Sequence, residues 1–161
     1  MYMRKIDQLF EEYAENHQNS TNKAIHWICV PLIFFSIVGL IASIPSQAVQ
    51  SILGVGNPYA NWAAVGLILV LIYYVSLSIP LSVGMMLFAA LCLFVINFIG
   101  RTINAPLWVI SLAIFFVAWV GQFYGHKVEG KKPSFLKDIQ FLLIGPAWLM
   151  HFIYKRLGIP Y

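Results

Sequence analysis

The sequence predicts an all-α integral membrane protein, and three observations carry that prediction. Of its 161 residues, 60% are hydrophobic and only 10% charged, whereas a soluble domain is about one quarter charged. No Asp, Glu, Lys or Arg stands between Lys23 and Arg101. Within and beyond that interval the apolar residues gather into runs of roughly 20, the length that crosses a bilayer. The expected architecture is about four transmembrane helices, an N-terminal amphipathic helix and a C-terminal re-entrant or interfacial helical segment. Together they form one membrane domain over residues 1–161.

Residues 3–22 are the interfacial part. Over 3–17, Ile6, Leu9, Phe10 and Tyr13 recur at i, i+3, i+4 and i+7, while Asp7, Glu11, Glu12 and Glu15 take the other side. His17 follows Tyr13 by four residues and extends the apolar stripe. Gln18–Asn22 reads Q-N-S-T-N, residue types that compete with helical hydrogen bonding and favour caps. One helix is expected to stop here and the next to start near Thr21 or Asn22. Span one covers about 24–44, with His26 in its first turn. A loop containing Pro45, Gly54, Gly56 and Pro58 leads to span two at about 60–79. Pro80 marks a tight break before span three, about 81–99, and span four occupies about 106–124.

The last apolar run, Ile139–Tyr154, is different. A straight helix of that length reaches only ~24 Å against a hydrocarbon core of ~30 Å. Gly145-Pro146 near its middle predicts a kink or a break. The segment is therefore expected to turn back rather than cross.

Charge placement sets the orientation. With a cytoplasmic N-terminus, four spans return the chain to the same side at His126. Arg4, Lys5, Lys23, Lys127, Lys131, Lys132 and Lys137 are then all inside. If the last run turns back, Lys155 and Arg156 join them and leave Arg101 outside. A bacterial inner membrane or an endoplasmic reticulum fits this arrangement. The net charge of +4 thus reports headgroup anchoring by membrane lipids. Nucleic acid is excluded as a partner, because the basic residues flank apolar spans and do not line a polar face. A polar, acidic segment precedes the first run where a cleavable leader would be basic, so span one is expected to persist. Cys29 and Cys92 both lie inside apolar runs and offer no disulfide framework. Trp27, Trp62, Trp108, Tyr124 and Trp148 fall near span ends, as an interfacial belt requires. Asn97, Asn104 and Gln122 are polar groups near span ends to which no chemistry is assigned. Neither a phosphate-binding glycine loop nor a serine nucleophile elbow occurs.

The chemistry concentrates in the histidines. Under this topology His17, His26 and His126 approach the cytoplasmic end of the bundle, and His151 joins them if the last segment turns back. On one continuous helix His17 and His26 would stand ~13 Å apart, too far for two ligands each ~2 Å from one ion. They can share a site only if the chain bends, and Q-N-S-T-N supplies the bend. His126 and Glu129 lie three residues apart in G-H-K-V-E-G, on one helical face. Each histidine alone reads as a hydrogen-bonded headgroup neighbour; four at one boundary raise a metal site. Imidazole with carboxylate suits Fe(II), Zn or Mn. Lys131 and Lys132 read first as an anchor and second as a landing site for a fatty-acid carboxylate.

E-N-H-Q-N-x-x-N-K-x-I-H-W-I-C-V-P-L near the start, paired with Q-F-Y-G-H-K-V-E-G-K-K-P later, resembles the membrane-embedded 2-hydroxy fatty acid dioxygenases. This family has a fungal member in phytosphingosine breakdown and many bacterial relatives. The resemblance covers nearly the whole chain, with Pro133-Ser134 where the family often has Pro-Ala. It implies an Fe(II)-dependent α-oxidation, in which O2 and a 2-hydroxy long-chain fatty acid give CO2 and an acid one carbon shorter. It maps metal ligands onto His17, His26 and His126; His151 enters the set by the topology argument. Glu129 would orient a histidine or act as a fifth ligand, and Lys131 or Lys132 would draw in the carboxylate. Two other readings compete: a non-catalytic scaffold or lipid-binding protein, and a zinc-dependent membrane hydrolase.

Overall fold

The computed structural model describes residues 3–130 and 141–161. Among them are seven helices: α1 (Lys5–Ala14), α2 (Ser20–Ala42), α3 (Gln47–Leu53), α4 (Trp62–Leu77), α5 (Ile79–Thr102), α6 (Leu107–Glu129) and α7 (Ile144–Leu157). Three of them, α2, α5 and α6, are long and apolar enough to cross a membrane. The predicted second span is the shorter α4, of 16 residues. Along these helices large apolar side chains face outward: Leu69 is 64% exposed, Leu91 57% and Val117 72%. Water would not tolerate such a surface; lipid does.

Local chemistry sets the boundaries. Asn19 caps α2, its side-chain oxygen accepting from the Thr21 and Asn22 amides. The helix therefore starts at Ser20, earlier than expected, and His26 falls in its second turn. Ser78 separates α4 from α5, its hydroxyl accepting from the Leu81 amide, with Pro80 in the first turn of α5 where its missing donor costs nothing. Pro146 behaves the same way: of the expected alternatives, kink or break, it marks a helix start. It is the third residue of α7 and starts a helix rather than kinking one. A short helix, α3, also occupies the loop that Pro45, Gly54, Gly56 and Pro58 had marked as irregular.

The longest interface joins α2 and α6, which run antiparallel. Small residues let their backbones approach: Gly39 meets Ser111, Gly121 meets Cys29 and Gly125 meets Asn22. A Cβ at Gly121 would stand 2.6 Å from the Cys29 sulfur. Gly121→Ala is expected to destabilise the detergent-solubilised protein by ~1–3 kcal/mol through overpacking. Cys29→Ala in the same chain should recover most of that loss. Gly66→Ala, where a Cβ meets nothing within 4 Å, should not lower the melting temperature, since alanine is the better helix former.

One end of the bundle is built from α1, the start of α2, the α4–α5 corner, the end of α6, and α7. The amphipathic α1 buries Ile6, Phe10 and Tyr13 and exposes Glu11 and Glu12. Those three pack with Tyr74, Leu81, Ala147 and Trp148 in one cluster. Polar stitches hold α7 there. Tyr154 donates its hydroxyl to the Pro80 carbonyl at 2.7 Å and accepts from the Gly84 amide at 3.0 Å. Tyr74 donates to the Leu143 carbonyl at 2.6 Å. Trp27, Trp62, Trp108 and Tyr124 are exposed as a belt requires, but Trp148 is 3% exposed. It faces inward because α7 lies across α1.

Candidate metal centre

Three elements bring one histidine each to this end. His17 stands in the bend after α1, His26 in the second turn of α2, and His126 in the last turn of α6, which runs five residues past its predicted end. All three are buried. The His17 ring lies 4.2 Å from that of His26 and 5.9 Å from that of His126, and the last two are 5.3 Å apart, centroid to centroid. One ring nitrogen from each falls within 4.8 Å of the others. Two donors each ~2.1 Å from an ion stand at most ~4.2 Å apart, so small side-chain rotations would bring the trio within reach of one metal ion.

Hydrogen bonding orients two of the rings. His17 Nδ1 lies 2.6 Å from the Tyr13 carbonyl, and His26 Nδ1 lies 2.9 Å from the Asn22 carbonyl. A carbonyl only accepts, so each Nδ1 carries a proton, and in the neutral ring the lone pair is then on Nε2. Tying one ring nitrogen to a backbone carbonyl is how proteins commonly orient imidazole ligands. Tyr13 stacks on His17 at 4.2 Å, nearly parallel, and Trp148 approaches the same ring at 5.6 Å. The donor set fits a borderline metal ion held by neutral imidazoles.

His151 stands apart from this group. Its ring packs on Phe10 at 5.1 Å and Phe152 at 5.2 Å, and its Nδ1 is hydrogen-bonded with the Tyr161 hydroxyl. Burial pushes its imidazole below the ordinary value; Lys155 adds to the effect and Asp7 opposes it. From α7 it is Trp148, one turn earlier, that meets His17. Of the four predicted histidines the structure thus brings three together, and His151 lies apart from them.

Glu129 lies at the edge of the site with its carboxylate already occupied. Oε1 accepts from the Gln18 amide at 2.8 Å and the Asn19 amide at 3.2 Å. Oε2 accepts from the Asn19 amide at 3.0 Å and Asn22 Nδ2 at 2.9 Å. Every one of these donors belongs to the bend between His17 and His26. The carboxylate therefore clamps the end of α6 to the bend. Lys131 and Lys132 lie outside the described residues.

Sequence reading passed over Gln122. Its side chain is 7% exposed, and its Oε1 has no hydrogen-bond partner among the described residues. The available signal was its spacing, four residues before His126 and so on the same helical face. Gln122 and His26 line a small cavity of ≈ 30 Å³ whose other walls include Tyr13, Val30 and Leu142. Leu142 also walls a second, almost wholly apolar cavity of ≈ 110 Å³ between α2 and α4. A third, of ≈ 220 Å³, shares Phe34, Leu67 and Val70 with the second. Three neighbouring cavities thus follow one another from beside the imidazoles into the bundle, with Leu142 standing between the first two.

The buried histidine trio could hold a metal ion, and comparison with known proteins gives the chain a family. The family model described as 2-hydroxy-palmitic acid dioxygenase Mpo1-like matches residues 3–157. The curated 2-hydroxy-palmitic acid dioxygenase MPO1 of Saccharomyces cerevisiae is 29% identical over 148 residues, which cover 91% of this chain and 78% of the yeast protein. No solved structure matches. The trio and its clamp fall within the matched region, and the chain belongs to the Mpo1-like 2-hydroxy-palmitic acid dioxygenase family.

Proposed function

We propose that this protein is an Fe(II)-dependent dioxygenase acting on long-chain 2-hydroxy fatty acids. One 2-hydroxy acid and one O2 give one CO2, one water and the acid one carbon shorter, which balances every atom. The observation that carries the reading is the buried trio His17, His26 and His126, with Nδ1 of the first two tied to carbonyls. These residues would hold the iron, which when bound would activate O2, while the four electrons that O2 takes up come from the 2-hydroxy acid. Three neutral protein donors leave coordination positions open.

The rest of the chain positions and excludes. Glu129 holds the bend that carries His17. Tyr13 and Trp148 cover that ring and keep water from it. The cavities beyond Leu142 offer an acyl chain an apolar path between α2 and α4. Lys131 and Lys132, which follow α6 directly, would draw in the carboxylate. We place this end at the cytoplasmic face, because Lys5, Lys23, Lys127, Lys155 and Arg156 gather on its elements while Arg101 ends α5 at the other.

The test is elemental analysis of the purified protein, followed by oxygen uptake with 2-hydroxypalmitate. About one iron per chain and equal amounts of O2 consumed and CO2 released are expected. Zinc with no oxygen uptake would favour a hydrolase, since zinc has no redox chemistry. Absence of any bound metal would leave the scaffold reading.

A further inference from the structure

Gln122 presents a buried oxygen with nothing to accept from among the described residues. It projects from α6 on the stripe that carries Trp119 and His126, ~6 Å along the axis from the latter. Its Oε1 has no partner among the described residues, and the side chain opens on the cavity that His26 also lines. Buried polar groups in native proteins are paired, and an exception asks for a ligand or a water. An amide oxygen only accepts, so whatever satisfies it must bring a proton. In the head of a 2-hydroxy acid the ionised carboxylate has none to give. The 2-hydroxyl has one.

We infer that Gln122 recognises the substrate's 2-hydroxyl, accepting its proton in a hydrogen bond, and so separates 2-hydroxy acids from unsubstituted fatty acids. The inference rests on the substrate class proposed above. Size agrees with it. A cavity of ≈ 30 Å³ admits a hydroxyl and its immediate neighbours but no alkyl chain, which must run elsewhere, past Leu142. Val30, Ile33, Phe141 and Leu142 offer the hydroxyl no acceptor from their side chains, and the other side-chain acceptors on the cavity wall are the Tyr13 hydroxyl and the His26 ring. An acid lacking the hydroxyl would leave the Gln122 oxygen buried and unpaired, which is how a polar pocket rejects an analogue.

The test compares binding of 2-hydroxypalmitate and palmitate to the purified protein in detergent, by calorimetry, for the wild type and Gln122→Met. Methionine keeps the length and removes the acceptor. The wild type is expected to bind the hydroxy acid at least ~10-fold more tightly, and Gln122→Met to bring the two acids within ~2-fold by weakening only the hydroxy acid. Metal content and melting temperature should not move, since Gln122 is neither a ligand nor a packing anchor. Gln122→Glu retains an acceptor at the same reach and should preserve the ratio even where absolute affinity falls. This second variant keeps the question open to test if the methionine variant does not fold. Full preference in Gln122→Met, as expected if the cavity holds only a water, would overturn the assignment, and so would its loss in Gln122→Glu. The two readings fail separately. A wild type that shows the Gln122-dependent ratio yet consumes no oxygen sinks the dioxygenase reading alone. Oxygen uptake with a ratio indifferent to Gln122 sinks this inference alone.

Discussion

His26→Ala is expected to leave the purified protein with less than about a tenth of its metal and to reduce oxygen uptake with 2-hydroxypalmitate at least ~100-fold. His26 is the most enclosed of the trio at 1% exposed, and its ring neighbours both others. Removing it leaves two donors on opposite sides of a gap. His17→Ala and His126→Ala should lose metal similarly, because each supplies one of only three imidazoles in the group. His151→Ala should retain it, since that ring packs with Phe10, Phe152 and Tyr161 instead. The helices should survive all four changes. Burial of the apolar faces of α1, α2, α6 and α7 holds the fold, and truncating one imidazole costs ~1–3 kcal/mol. Elemental analysis beside circular dichroism reads both quantities. Wild-type metal content in His17→Ala or His126→Ala would refute the ligand assignment.

Glu129→Ala should act differently. The carboxylate receives hydrogen bonds from Gln18, Asn19 and Asn22, and a charge-assisted bond contributes ~1.5–3 kcal/mol when buried, less at a partly exposed site such as this one. Its loss frees the bend, so His17 is no longer held toward His26. Metal affinity should fall ~10- to 100-fold, the usual cost of removing an outer support of a metal site. Saturating iron should then restore most of the oxygen uptake. A direct ligand behaves otherwise, because excess metal cannot replace a missing donor. Glu129→Gln should be intermediate: its amide keeps one acceptor but turns its own N–H groups toward the donors on Asn19 or Asn22. Uptake that stays lost at saturating iron would make Glu129 a ligand.

Much of the molecule was legible before any coordinates. Apolar runs announce helices because lipid tolerates no unpaired backbone, and the predicted spans differ from the observed helices mainly at their ends. Q-N-S-T-N announced a bend because Asn19 is a good cap, and that bend makes a site of two histidines nine residues apart. The short second span and α3 were less legible, since composition does not say where in an apolar stretch backbone pairing stops. Pro146 left kink and break open, because a proline's effect depends on which turn it enters, and it entered the first.

By itself, then, the sequence determined a helical membrane protein with histidines gathered near one end of its spans, since hydropathy and capping are properties of short segments. Only the tertiary structure decided which rings meet. That choice depends on how α7 lies on α1, which presents Trp148 and not His151 to His17, and on where the end of α6 docks, which spends the Glu129 carboxylate on the bend. Contacts between residues more than a hundred positions apart are written in packing geometry, and no local pattern of residues encodes them.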